Sequence, residues 1–252
     1  MHISARTTVA AAALALATAG IAAAPAFADA SAAQEVPGAV SGTLNTDEEA
    51  RVHQEVGDAP KVEMYYHGEK IDSRSDDLGG AQVCAEVSQD GTMECFDDQE
   101  EANSVLAERA PTPESREGAA VQAASKAASK AAPKAAPKAA RAAALRSSWL
   151  DCPKSWVCLW QDADFKGRRL QWPTYDTAKT RHLDQYSPSF RDKASSAYVN
   201  RPQRGVELYD FRSGMPDPHL FLGAGYTRYP NFTKISYAYG GNWNDKADAI
   251  KF

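Results

Sequence analysis

The sequence predicts an all-β domain at the C-terminus, a sandwich built from two copies of one unit. A small disulfide-linked hairpin unit and a low-complexity linker precede it. Three observations carry this. From Ser148 to Phe252 the chain shows short alternating runs ("WVCLW", "RRLQW", "SSAYV", "VELYD", "HLFLG", "DAIKF") separated by turn signals, and no run longer than ten residues has helical period. Every Trp, eight of ten Tyr and six of eight Phe follow Arg146, so the apolar surface for a core is concentrated there. Finally, "DKASSAYV" (Asp192 to Val199) and "DKADAIKF" (Asp245 to Phe252) form an internal repeat.

Residues 1–30 read as a signal peptide. A short basic start (His2, Arg6) leads into an Ala-rich apolar run and an A-x-A end, with cleavage expected after Ala28 or Ala30. No later segment is apolar enough to span a bilayer. The expectation is a secreted, extracellular protein. Export gives the four cysteines a meaning: two disulfides in local pairs are the simplest of the three connectivities. A metal site is the rival reading, but there is no C-x-x-C and no histidine at zinc-ligand spacing.

Residues 31–110 hold 19 acids and 5 bases, a net charge of −14. The stretch up to about Asp58 has few large apolar residues and reads as mobile. "KVEMYYHGEKI" reads as strand and turn at His67-Gly68, and "QVCAEVSQDGTMECF" as a hairpin. A four-residue loop, Ser88 to Gly91, sets Cys84 opposite Cys95, whereas a two-residue Asp-Gly loop sets it opposite Asp97; a Cys84–Cys95 bridge favours the longer loop. One helix capped by Asp97 or Asp98 follows. Residues 111–147 form an Ala/Lys/Pro-rich linker. Its four-residue repeat places Lys126, Lys130, Lys134 and Lys138 on one helical face, where they repel, and Pro133 and Pro137 break the later turns. The expected form is a frayed helix passing into an extended tether. A stripe for an anionic cell-wall polymer is the functional alternative. Secretion and the lack of interleaved aromatics argue against nucleic acid. A further expectation is that the acidic segment folds back to mask the +6 of residues 118–147 until proteolysis releases the C-terminal domain.

Within 148–252, "WQDADFKGRRLQW" sets Trp160 and Phe165 five apart, with Gly167 two further on. A hairpin loop of this length can fold down over its sheet. Its two aromatics would exclude water, and Gly167 would supply a positive φ or room for a ring. The spacing resembles the βγ-crystallin Greek key signature, aromatic-x4-aromatic-x-Gly. The family's turn motif, two Asn/Asp followed after two residues by Ser/Thr-Ser, is matched at Asp192, Ser195 and Ser196, with Arg191 departing. It is matched again at Asn244 and Asp245, with Asp248 and Ala249 replacing the serines. The resemblance implies two Greek keys packed as a sandwich. More closely, "CPKSWVCLWQDADFKGRRLQW" and "GNWNDKA" resemble the Streptomyces metalloproteinase inhibitor family over Asp151 to Phe252. In that frame Cys152–Cys158 is a staple at the start of the domain.

Catalysis has little support: there is no H-E-x-x-H, no G-x-S-x-G and no phosphate-cradling Gly loop. The chain is expected not to be an enzyme and to require no cofactor. Calcium is the better site hypothesis, because hard cations take oxygen ligands at turns. The resemblance implies ligands at Asp192, the Lys193 carbonyl and Ser195 in one copy, and at Asn244, Asp245 and Asp248 in the other, each site completed by the other key's opening hairpin. Ser196 would support the folded hairpin. The resemblance also implies inhibition of an extracellular metallopeptidase by a rigid loop. "SGMPDPHLF" is the candidate, stiffened by Pro216 and Pro218 and offering Leu220 and Phe221. The alternative is a non-inhibitory structural or cell-wall-associated module, with calcium as a stabilising ion.

Overall fold

The computed structural model describes residues 36–59, 61–71, 80–131, 148–175 and 178–252. The segment expected to be a signal peptide (1–30) and residues 132–147 of the expected linker lie outside the described residues. Residues Ala33–Phe252 form one compact unit, built from two sheets with helices on both outer faces.

The C-terminal part supplies two four-strand keys. The first is β6 (Trp156–Asp162), β7 (Lys166–Pro173), β8 (Thr180–His182) and β9 (Ser196–Asn200); the second is β10 (Val206–Tyr209), β11 (Pro218–Leu222), β12 (Thr227–Tyr229) and β13 (Ala249–Lys251). Each key sends its third strand to the other sheet. One sheet runs β11-β10-β13-β8, the other β12-β9-β6-β7. This exchange is the sandwich that the repeat predicts. Alternation puts Val157, Leu159, Leu170, Trp172, Ala197 and Val199 on the inner face of one sheet, against Leu208, Leu220, Leu222 and Ile250 of the other.

The remaining strands come from the N-terminal region. β1 (Ala39–Thr43) pairs antiparallel with β11, at the edge of the first sheet. β4 (Val83–Glu86) pairs parallel with β7 and extends the second sheet through β5 (Met93–Phe96), β2 (Met64–Tyr66) and β3 (Glu69–Lys70). Cys84 stands opposite Cys95 in the β4–β5 register and is bonded to it; Cys152 is bonded to Cys158. The loop closes as expected, with the Val87 N–H donating to the Thr92 carbonyl at 2.9 Å.

Three helices complete the layers. Helix α1 (Thr46–Gly57) covers the outer face of the first sheet, packing Val52 and Val56 with Tyr209 and Ala249. Helices α2 (Gln99–Arg109) and α3 (Pro113–Ala131) cover the outer face of the second. Asp98 caps α2, accepting from the Glu100 and Glu101 N–H groups. Pro113 opens α3, where its missing N–H costs nothing.

Among the described residues, those of 31–110 and 111–131 are therefore not kept apart from 148–252. The N-terminal region adds strands to both sheets and helices to both faces. Helix α1 lies in the stretch whose composition suggested mobility. An Asn45/Glu48 capping box starts it. Its two buried valines are too few to register as a period, and they find their surface only on the C-terminal sheet. The β4–β7 pairing leaves no local signal either, because parallel strands need remote partners. As for masking, the described contacts run from the acidic region to the C-terminal sheets, and residues 132–147 are not among them.

Candidate functional site

The opening hairpin folds over as its spacing predicts. A bulge between Trp160 and Asp162 turns the β6–β7 pair, and Asp164, Phe165 and Gly167 all take positive φ. The buried Phe165 ring meets Trp160 edge-on at 5.2 Å. Ser196 fastens the fold-over: its hydroxyl donates to the Asp162 carbonyl at 2.7 Å and accepts the Phe165 N–H at 3.1 Å.

The two turn motifs meet across a pseudo-two-fold relation. The Asp192 N–H donates to the Ala247 carbonyl at 3.0 Å, and the Asp245 N–H to the Ala194 carbonyl at 3.1 Å. Both aspartates take positive φ, 54° and 55°. Likewise the Ser195 N–H reaches the Trp160 carbonyl and the Asp248 N–H the Tyr209 carbonyl. The repeat in the sequence is thus a repeat in the backbone.

Its side chains differ. Asp192, Lys193, Ser195, Asn244 and Asp245 line an open pocket of about 420 Å³ together with Gln161, Asp162 and Ala163 of the fold-over hairpin. Ser195 donates to Asp245 Oδ1 at 3.2 Å, and the Asn244 amide to Asp245 Oδ2 at 2.6 Å. Three carboxylates, a hydroxyl and two amide oxygens suit a hard cation. Asp248 does not join them. It is buried, takes Arg191 at 2.5 Å and accepts the Phe211 N–H at 2.7 Å. Burial pushes its pKa up to about 6. Arg191, the departure from the turn motif, thus fills with an ion pair the place where Asp248 was expected to ligate. Lys246 lies over the Tyr237 ring, 5.6 Å from its centre.

The loop candidate is also corrected. Pro218 to Leu222 is strand β11, held between β1 and β10, and Leu220 is fully buried in the inter-sheet core. A side chain there cannot enter a peptidase cleft. What remains exposed is Ser213, Gly214, Met215, Pro216 and part of Phe221. The preceding loop is braced. The Arg212 N–H donates to Asp217 Oδ1 at 2.5 Å, Tyr239 donates to the Pro216 carbonyl at 2.5 Å, and His53 of α1 meets Asp217 Oδ2 at 2.7 Å. The apolar "HLF" pattern marked a strand, whose alternation buries one residue and exposes the next.

Each histidine at positions 53, 67, 182 and 219 sits beside a carboxylate: Asp217, Asp97, Asp184 and Glu207 respectively. Two buried features had no sequence signal. Arg181 of β8 makes a two-pronged ion pair with Glu86 of β4, at 2.8 and 2.9 Å. Burial opposes the guanidinium charge, but the Glu86 carboxylate more than offsets this and raises the pKa of Arg181. Arg169, by contrast, is buried against the Trp160 ring, and burial pushes its pKa down to about 10.

The sandwich of two exchanged Greek keys defines a βγ-crystallin-like module at the C-terminus. Residues 146–214, which span the whole first key and β10 of the second, match the model of peptidase inhibitor family I36. Among solved structures, a beta gamma crystallin from Ciona intestinalis aligns at 21% identity, covering 38% of this chain and 95% of its own, with a TM-score of 0.25. No curated protein matches the chain. Among the described residues no helix is long and apolar enough to cross a membrane.

Proposed function

We propose that this chain is a secreted inhibitor of an extracellular metallopeptidase, with the two-key module as its scaffold. The observation that carries this reading is the match of residues 146–214 to an inhibitor family, on a module whose strands, fold-over hairpin and Cys152–Cys158 bridge form a rigid frame. Rigidity suits inhibition, because little conformational freedom is left to lose on binding. Two internal disulfides fit an extracellular setting. Titration against a thermolysin-like zinc peptidase and, in parallel, a subtilisin-like serine peptidase tests the class. Stoichiometric loss of the zinc enzyme's activity alone supports the reading; no loss in either, from folded protein in both intact and proteolytically opened form, removes it.

A second reading has its own observation. The pocket gathers Asp162, Asp192, Ser195 and Asp245 from two keys, an oxygen set that would hold calcium and tie the fold-over hairpin to the second turn motif. On this reading the module is a calcium-stabilised structural unit, and the Lys-rich linker is its contact with an anionic wall polymer. Calorimetry with millimolar calcium decides the first part; an absence of heat ends it. Salt-reversible sedimentation with purified cell wall decides the second.

A further inference from the structure

The outer face of the second sheet is covered by the chain's own N-terminal region, and the match is incomplete. The β6–β7 and β4–β7 registers place Trp156, Trp160, Arg169 and Gln171 on this face, with Val83 and Ala85 beside them. Ala102 and Leu106 of α2 and Ala119 of α3 pack onto it. The apolar contacts close well; the polar ones do not. Arg169 is 1% exposed, yet its Nε and Nη2 have no hydrogen-bond partner. The buried Gln171 Nε2 has none, and in α2 the Gln99 Oε1 and Asn103 Nδ2 have none. Each buried, unpaired polar atom costs roughly 1–3 kcal/mol, and charged ones more.

We infer that this face is the surface by which the first key docks on the peptidase, and that α2 and α3 occupy it in cis, so that the intact chain is a latent form. The inference rests on the inhibitor reading above and adds where the target binds and what keeps it off. Four observations support it. The matched segment, 146–214, contains all of this face on β6, β7 and β9 and none of its cover. Trp, Tyr and Arg are the side chains that dominate protein-docking surfaces, and here Trp156, Trp160, Tyr198 and Arg169 stand together. A target chain bringing carboxylate or carbonyl oxygens would satisfy the donors of Arg169 and Gln171 that the cover leaves bare. Last, neither disulfide crosses between the halves: Cys84–Cys95 lies in the N-terminal half and Cys152–Cys158 in the C-terminal module. A single chain cut between them leaves only non-covalent contacts.

The test uses the full chain with a specific protease site engineered within residues 132–147. Intact and cut protein are titrated against the zinc peptidase, and the complexes are separated by size. A second variant, Gly118→Val, loosens the cover through a substitution that lies outside the covered module. Even the first side-chain carbon added at Gly118 would come within 1.8 Å of the Lys154 carbonyl oxygen, so α3 must shift. The expected result is inhibition at least about tenfold stronger after cutting, and stronger again with Gly118→Val, because apparent affinity scales with the uncovered fraction. In the peptidase complex the backbone amides of α2 and α3 should lose protection from hydrogen exchange while those of α1 keep theirs, and Arg169→Glu should weaken the complex. Equal inhibition by intact and cut protein, or a complex in which the α2 and α3 amides stay protected, overturns the inference and leaves the inhibitor reading standing. Loss of inhibition from Met215→Asp but not from Arg169→Glu overturns it in favour of the exposed loop. No inhibition by any form, including the cut protein after its N-terminal fragment is stripped off, overturns both.

Discussion

Two helical covers lie on the two outer faces of one sandwich, and they are made differently. Helix α1 brings its polar groups to partners: Glu55 meets Lys251 at 2.5 Å and Thr180 at 3.5 Å, His53 meets Asp217, and the Glu49 carboxylate accepts from the Asp217 N–H at 3.4 Å. Helices α2 and α3 bury more apolar surface, including a Trp156 indole that donates to the Ser115 carbonyl at 3.0 Å, yet leave several donors and acceptors bare. The first cover reads as part of the fold; the second reads as a partner that happens to be in the same chain. Burial alone does not distinguish a core from an occupied interface, whereas polar satisfaction does.

The comparison can be broken at its common anchor. Glu86→Gln would leave the Arg181 charge buried without its carboxylate, joining neither sheet to the other. A loss of about 3–5 kcal/mol is expected, read as a lowered urea midpoint. A change under 1 kcal/mol would mean that the pair is solvated. Next come the apolar contacts beneath each cover. Leu106→Ala should cost about 2–5 kcal/mol. Val52→Ala, which removes fewer buried groups, should cost roughly 2 kcal/mol at about 0.8 per methylene plus cavity. If the order reverses, α1 and not the α2–α3 pair dominates the burial. Arg169→Met sharpens the comparison because its sign is unusual. Replacing a buried, half-satisfied guanidinium with an apolar chain should stabilise the intact protein by about 1–3 kcal/mol. A lower melting temperature would show that Arg169 serves the cover. Asn45→Ala removes the α1 cap and should cost about 1 kcal/mol, with loss of helix signal confined to α1.

The smallest effect is in pH. The carboxyl of Asp248 has a native pKa raised by burial to about 6, above its ordinary 3.8. The native state therefore holds this proton more tightly than the unfolded chain. Its contribution to stability is complete below pH 4 and is lost as pH rises through about 6. The stability of the natural protein relative to Asp248→Asn should decline over that window and then level off. A flat difference would mean that Arg191, itself 43% exposed, keeps Asp248 ionised throughout.

Much of the C-terminal module was legible. Alternating runs gave β6, β7, β9, β10, β11 and β13, and the fold-over hairpin followed from the Trp160, Phe165 and Gly167 spacing. Five of the six residues expected as ligands of two separate sites line one pocket, with the first key's own hairpin. The sixth failed because a substitution at Asp248 was read one residue at a time. Arg191, 57 positions away in the chain, also departs from the turn motif, and the two side chains pair with one another. The short strands β8 and β12 escaped notice because three residues carry too little pattern. The loop candidate rests on two stiffening prolines and an apolar pair, Leu220 and Phe221, and neither feature reports exposure. A β-strand buries every second residue regardless of what flanks it.

The sequence by itself determined what is local or repeated. It set the disulfide in the hairpin, the Asp98 cap, the two-copy turn motif and the strand alternation, because each depends on residues a few positions apart. Only the tertiary structure decided that the acidic N-terminal region belongs to the same unit as the aromatic sandwich. A parallel edge pairing such as β4 with β7, an ion pair such as Glu86 with Arg181, and a helix with two apolar residues such as α1 have no meaning until a remote surface supplies the partner. Such contacts depend on loop closure and on shape, and neither is written in any short window of the chain.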